Sequence, residues 1–288
     1  MGAEYSSLAD VPVLNAMPTE QQSLSMLVAV CVLGSPVCAA DQVGGGLPLA
    51  PASELANRVY VNAGLGAAFM SAISIQDSLV TTAALGTSGV DFDTDPGVAG
   101  DLILGLRVNE SMSVEVEVGM SSLGFGGASG TLSYRPPAAP LTAFEGTLSG
   151  GSGNFLQVPV LVNASYHLPL IRRAPATEDL GLGLALGGGF GVVNTAASIS
   201  DIRVRNAVVP DLTMALNGDG WSFAAQFKAA LEVQISSSVS LALTYKFMVM
   251  SDADLGTADF STDLGVASDF ETGSMLGQAL LATFEFRF

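Results

Sequence analysis

The sequence predicts an all-β fold, a closed up-and-down antiparallel barrel of eight strands that crosses a membrane. Three observations predict it. Eight segments each set an apolar face against a polar or small one, and such period-two alternation marks a strand between two different environments. The connections between those segments alternate short and long. The chain is 49% hydrophobic and only 13% charged, yet outside its N-terminal region it has no apolar run of the roughly 18 residues that a membrane-crossing helix needs. A barrel reconciles these facts, because only alternate strand residues need to face lipid.

Ser23 to Gly34 is an apolar stretch of signal-peptide length, and the small residues around Ala39 and Ala40 suit cleavage. Residues 1–40 therefore read as a signal peptide; because residues 1–25 contain no Lys or Arg, either its start is over-extended and lies at Met17 or Met26, or the source tolerates a neutral n-region. Residues 41–56, rich in Gly, Pro and Ala, read as a linker, and residues 57–288 as the barrel. Cys31 and Cys38 fall in the segment expected to be removed, which excludes a cysteine-based zinc site in the remainder.

The first strand is expected over 58–70, with Val59, Val61, Ala63 and Leu65 facing away from Tyr60, Asn62 and Gly64. The second (99–108) and third (to 121) are joined by a turn at 109–112 and carry Leu102, Leu104, Leu106, Val114, Val116 and Val118 on their apolar face. The fourth, 155–168, contains Pro159, which has no amide to donate and marks a bulge or an edge. The fifth, 180–192, alternates leucines with glycines that leave room for bulkier neighbours. The sixth and seventh, 221–236 and 240–250, carry Phe223, Phe227, Leu231, Leu241, Leu243 and Tyr245 on the apolar face. The eighth, 277–288, sets Phe284, Phe286 and Phe288 opposite Thr283, Glu285 and Arg287. Connections 109–112, 169–179 and 236–239 are short, whereas 71–96, 122–154, 194–219 and 252–273 are long. Bacterial barrels segregate short periplasmic turns from long external loops in this way.

The hairpin pattern of residues 92–119, the strand–turn–strand of 223–247 and the terminal Phe288 make the chain resemble the eight-stranded bacterial outer-membrane barrels of the OmpA-like, OmpX-like and opacity type. The resemblance implies residence in the outer membrane, monomeric and beside lipopolysaccharide. It also implies that Phe284, Phe286 and Phe288 serve as an assembly signal read by the barrel-assembly machinery. It supplies no catalytic motif and no cofactor.

The inward faces should hold an ion network of Arg58, Asp101, Arg107, Glu115, Glu117, Lys228, Glu232, Lys246, Glu285 and Arg287. On a lipid-facing surface each charge would cost about 2–4 kcal/mol near the midplane, whereas in a lumen opposite charges pair. Arg107 and Glu115 are expected to stand directly opposite each other if the turn is Glu110 to Met112. An eight-stranded barrel is just wide enough for side chains to fill it, so a plugged lumen is expected, with partner exchange among Glu117, Lys228 and Lys246 as a route to a narrow gate. The single histidine, His167, reads as a packed lumen residue.

The net charge of −17 excludes a nucleic-acid partner. The excess acid sits in two long loops, as Asp77, Asp91, Asp93 and Asp95, and as Asp252, Asp254, Asp259, Asp263, Asp269 and Glu271. Divalent cations are a candidate partner of these loops, and Asp91-x-Asp93-x-Asp95 has calcium-loop spacing. Leu102 nevertheless occupies the position where an EF-hand places its bidentate Glu. The expected role is structural or surface-interactive and not enzymatic. The rival readings are a small gated pore or hydrophobic-solute channel, and a secreted soluble barrel that binds a ligand.

Overall fold

The computed structural model describes residues 58–75, 85–134, 144–171, 181–205, 212–260 and 269–288; the expected signal peptide and linker lie outside them. Twelve strands appear: β1 (Val59–Met70), β2 (Ile73–Ile75), β3 (Leu85–Arg107), β4 (Met112–Tyr134), β5 (Phe144–Ser149), β6 (Ser152–Ile171), β7 (Gly181–Arg205), β8 (Leu212–Gln234), β9 (Val239–Met250), β10 (Asp254–Phe260), β11 (Asp269–Glu271) and β12 (Met275–Arg287). Eight of them form a ring in which every neighbour is antiparallel: β1, β3, β4, β6, β7, β8, β9, β12 and back to β1. The seam is the pairing of β1 with β12, from Tyr60↔Arg287 to Met70↔Gly277, so this ring has no free edge. All eight expected strands are present.

Four of them run much further than expected. β3, β4, β7 and β8 reach 23–25 residues, where about 9–11 suffice to cross a bilayer. Their outer halves occupy segments whose sequence reads as loop, and the short strands β2, β5, β10 and β11 complete a second ring above the first. In that upper ring β2 pairs β3, β4 pairs β5, β5 pairs β7, β8 pairs β10 and β10 pairs β11. It closes through the Ile75↔Thr272 bridge and the 2.7 Å bond from Gly273 N to Ser74 O. The barrel thus has two storeys.

The two storeys have opposite polarity. In the lower one the outward residues are apolar, from Val98 down to Val108 beside β3 and from Leu276 down to Phe288 beside β12. The ten residue steps from Val98 to Val108 rise about 3.4 Å each, and at a tilt of about 40° they give a belt about 25 Å tall, the height of a lipid-facing band. Phe69, Phe190, Trp221 and Phe223 stand exposed at its upper margin. In the upper storey Ile73, Phe92, Phe125, Ile199, Ile202, Leu216, Leu255 and Phe270 are buried inside, while Asp93, Ser198, Ser200, Asn217, Asp254 and Glu271 face out. Above the belt the barrel is built like a water-soluble protein.

On β3 the change of environment coincides with a β-bulge between Asp95 and Val98, where one extra residue shifts which side chains point inward. Phe92 is inward below sequence position 95 and Ile103 above it, although they differ in parity. β7 shifts likewise between Ile199 and Ile202, and Asp201 there has φ of 58°. Pro159 is buried within β6 and pairs with Val193 of β7. On its other side the β4 ladder passes from Val118↔Val160 to Ser121↔Gln157 without a Pro159 partner. The missing donor interrupts one neighbour only.

Candidate functional site

The lower lumen gathers the charges that strand parity turns inward. Lys228 on β8 donates to Glu115 Oε2 on β4, whose Oε1 accepts from the Tyr60 hydroxyl at 2.6 Å. Lys246 on β9 bridges two carboxylates, Asp101 Oδ2 of β3 and Glu117 Oε1 of β4, the latter at 2.7 Å. The second oxygen of Glu117 accepts from Asn163 Nδ2 at 2.8 Å and Gln226 Nε2 at 3.0 Å. Glu117 is therefore held by three donors from three strands. Arg287 Nε donates to Glu285 Oε1 at 2.5 Å and its Nη2 to Ser240 Oγ at 3.2 Å, while Arg107 reaches the same Glu285 oxygen at 3.5 Å.

Small residues make the room. Tyr60 is opposite Gly105 in the β1–β3 register, and a Cβ on Gly105 would lie 2.1 Å from the Tyr60 ring. The ring lies flat on the glycine and carries its hydroxyl to Glu115. A Cβ on Gly187 would stand 2.8 Å from Lys228 Cε, so the glycine pattern on β7 serves the lysine on β8.

Two expectations are corrected. Arg58 precedes β1, is exposed, and makes no side-chain ion pair among the described residues, so the lumen holds five carboxylates against Arg107, Lys228, Lys246 and Arg287. Arg107 does not oppose Glu115: the register is Arg107↔Ser113 and Gly105↔Glu115. The cause is the turn, where Asn109 Oδ1 accepts from both Ser111 N and Met112 N at 2.8 Å. That cap places the bend one residue earlier than expected.

His167 is buried and joins two groups. Its Nε2 lies 3.0 Å from Ser113 Oγ and its Nδ1 3.3 Å from a Glu232 oxygen. The order Ser–His–Glu is that of a hydrolytic triad, but the nucleophile position is closed. Ser113 is 1% exposed, its Oγ lies 2.9 Å from the Tyr60 hydroxyl oxygen, and the strand around it pairs with both β3 and β6. Tyr60, Ser113, Asn163 and Gln226 were visible in the sequence only as inward-facing polar residues; nothing there linked them to particular carboxylates.

Above the ion network the lumen turns apolar. Gln157 stands at the transition, with its amide donating to the sulfurs of Met70 and Met250 at 3.2 and 3.4 Å. Over it Phe155, Phe125 and Phe92 pack in sequence, with ring centroids 6.2 and 5.5 Å apart. Below the network the lumen widens at the short-turn end into a vestibule of about 640 Å³ bordered by Arg107, His167, Glu232 and Arg287.

Asp91, Asp93 and Asp95 lie along the strand β3 and not in a loop, with Phe92 between them turned inward. No group of three metal-ligating side chains converges among the described residues. Asp77 and Asp263 lie outside the described residues. Phe284, Phe286 and Phe288 form an exposed row outside the barrel with centroids 6.2 and 5.8 Å apart.

No family model matches the sequence, and no curated protein matches it. Among solved structures, the outer membrane protein OprG from Pseudomonas aeruginosa aligns over 81% of this chain and 98% of its own, at 11% identity and a TM-score of 0.40. Neisserial surface protein A aligns over 80% and 97%, at 12% identity and a TM-score of 0.38. The outer membrane protease OmpT from Escherichia coli aligns over 81% and 97%, at 9% identity and a TM-score of 0.40. By its own ring of pairings, the chain is a closed up-and-down barrel of eight strands, the architecture of the outer-membrane barrels that its sequence resembles.

Proposed function

We propose that this protein is an outer-membrane barrel with a sealed lumen, whose work is structural and interactive and not enzymatic. The observation that carries the reading is the inversion of polarity between the storeys. A belt about 25 Å tall is apolar outside and ionic inside, and directly above it the walls are polar outside and apolar inside. A secreted soluble barrel would have no use for a contiguous ring of exposed Val, Leu and Phe of that height. The belt belongs in lipid, the upper storey projects into water on the long-loop side, and the short turns face the periplasm.

The apolar filling above Gln157 speaks against the pore reading, because an ion leaving Lys246 and Glu117 would have to pass the stacked Phe155, Phe125 and Phe92. Exchange of partners within the ion network would not by itself open that segment. In this reading the upper storey presents its acidic surface outward near lipopolysaccharide, and the row Phe284, Phe286 and Phe288 is the strand edge offered to the barrel-assembly machinery. The experiment is a paired one. The protein should sediment with outer membranes and migrate differently on a gel before and after boiling, and in planar bilayers it should pass no current. Recovery as a soluble protein without that gel shift would sink the membrane placement; steady single-channel steps would sink the seal.

A further inference from the structure

The vestibule at the short-turn end has walls of opposite charge. In the ring of eight, β1 stands four strands from β7 in either direction, so the two face each other across the lumen. Arg107 on β3 and Arg287 on β12 flank β1 and share a single carboxylate, Glu285, so among the described residues that wall carries one guanidinium more than it has carboxylates. Arg287 is well held by Glu285 and Ser240. Arg107 is not: among the described residues its one side-chain hydrogen bond is 3.5 Å long, and its Nε is buried with no partner. A hydrogen bond of that length contributes little, while the Tyr60 ring, 5.8 Å from the guanidinium carbon, fixes where the cation sits.

The opposite wall carries the carboxylate. Glu232 on β8 and His167 on β6 flank β7 and meet across it, while Gly181 and Gly183 add no side chain of their own to the vestibule. Among the described residues the only ion-pair partner of Glu232 is His167, at 3.3 Å. Glu110 stands exposed at the rim, on the turn between β3 and β4, and pairs with neither arginine among the described residues.

We infer that this vestibule binds a small zwitterion, a molecule carrying a primary ammonium and an anionic group, with the anion on Arg107 and the ammonium on Glu232. A simple anion would meet Glu232, and a simple cation would meet two guanidiniums. Only a dipolar ligand complements both walls and supplies the donors and acceptors each lacks. The cavity, about 640 Å³, falls within the size range of small-molecule sites. Two sources share this chemistry: the free ends of a short peptide and the headgroup of an ethanolamine phospholipid.

Isothermal titration of the folded, detergent-solubilised full chain tests the site, with triglycine and O-phosphoethanolamine as separate probes. Saturable binding of either is expected. Acetylating the amine or amidating the carboxylate of triglycine, or acetylating the amine of phosphoethanolamine, should weaken binding by at least about tenfold, the scale of one charged hydrogen bond. Arg107→Gln should abolish discrimination between triglycine and its amide while keeping discrimination against the acetylated form; Glu232→Gln should do the reverse. Triglycine alone binding assigns the site to peptide ends, and phosphoethanolamine alone assigns it to a headgroup. Gly183→Leu, which fills the vestibule and changes no charge, should remove binding of both while keeping the gel shift of a folded barrel. The inference is overturned if neither probe binds the wild type at millimolar concentration, or if a blocked probe binds as tightly as the free one. Should Arg107→Gln fail to fold, the blocked-ligand series on the wild type decides alone.

Discussion

Replacing Lys246 by methionine tests whether the lumen is held by its ion pairs. The side chain is 7% exposed and contacts two carboxylates, Asp101 and Glu117, that are themselves 4% and 2% exposed. Methionine keeps the stem and removes the charge, so packing changes little and electrostatics change greatly. The two carboxylates do not suffer equally. Glu117 retains Asn163 and Gln226 as donors, whereas the Asp101 carboxylate loses its only hydrogen-bond partner among the described residues, its Oδ1 having none. Breaking a buried pair from one side costs about 3–5 kcal/mol, because a charge is left without compensation. Removing all three charges together, as Lys246→Met with Asp101→Asn and Glu117→Gln, should recover most of that loss, since a buried pair replaced by neutral groups of similar volume is often near neutral. Urea titration in lipid vesicles measures both variants, following the fluorescence of Trp221, the chain's one tryptophan, at the margin of the belt. The reasoning fails if the single variant lies within about 1 kcal/mol of wild type. It also fails if the triple variant is no more stable than the single one.

Three further outcomes follow from the same geometry. Gly105→Ala should destabilise by on the order of 1–3 kcal/mol through overpacking against Tyr60, and a Tyr60→Leu background should erase most of that difference in the same titration. Leu104→Lys, on the lipid face of β3, should cost about 2–4 kcal/mol, whereas Asp93→Lys on the outer face of the same strand should stay within about 0.5 kcal/mol; equal costs would refute the placement of the belt. Calcium titrated to millimolar concentration should leave the melting temperature unchanged, because Asp91, Asp93 and Asp95 are spaced along an extended strand and do not wrap an ion; a rise that Asp93→Asn removes would contradict this.

The lower storey was legible in the sequence because its signal is local. On β12, Leu276, Leu280, Phe284 and Phe286 face outward at even positions while Glu285 and Arg287 turn inward at odd ones, and no knowledge of the other strands is needed to see it. The upper storey was not legible, for two physical reasons. On β3 and β7 the bulges shift the phase between Asp95 and Val98 and between Ile199 and Ile202, so a pattern followed from below ends there. In Leu123 to Gly130 the inward Phe125 and Ala128 are separated by Gly126 and Gly127 and followed by Ser129 and Gly130, residues that ordinarily signal turns. The site was half legible. Nine of the ten charges expected to face inward lie on the inner face of the ring, but Arg58 sits before the strand begins, where parity no longer fixes direction. Which lysine meets which carboxylate depends on strand stagger around the ring, and no single segment encodes that.

The two storeys are stabilised by different means, and that difference explains the placement of charge. In the proposed placement a lower-storey leucine gains nothing by leaving lipid for a protein interior, so the hydrophobic effect cannot fill that lumen with any advantage; ladder hydrogen bonds and paired charges must hold it together. The upper storey then stands in water, and burial of Ile73, Phe92, Phe125, Phe155, Leu216 and Phe270 gives it an ordinary core. On β8 no bulge separates the regimes: Met214, Leu216, Ser222, Gln226 and Lys228 all face inward at even positions along one unbroken phase. The change from apolar to ionic filling on that strand is therefore a change of residue choice at constant geometry, and it falls at the height where Trp221 and Phe223 stand exposed on the outside. Inner and outer faces reverse together because both answer to the same boundary, the plane where lipid gives way to water.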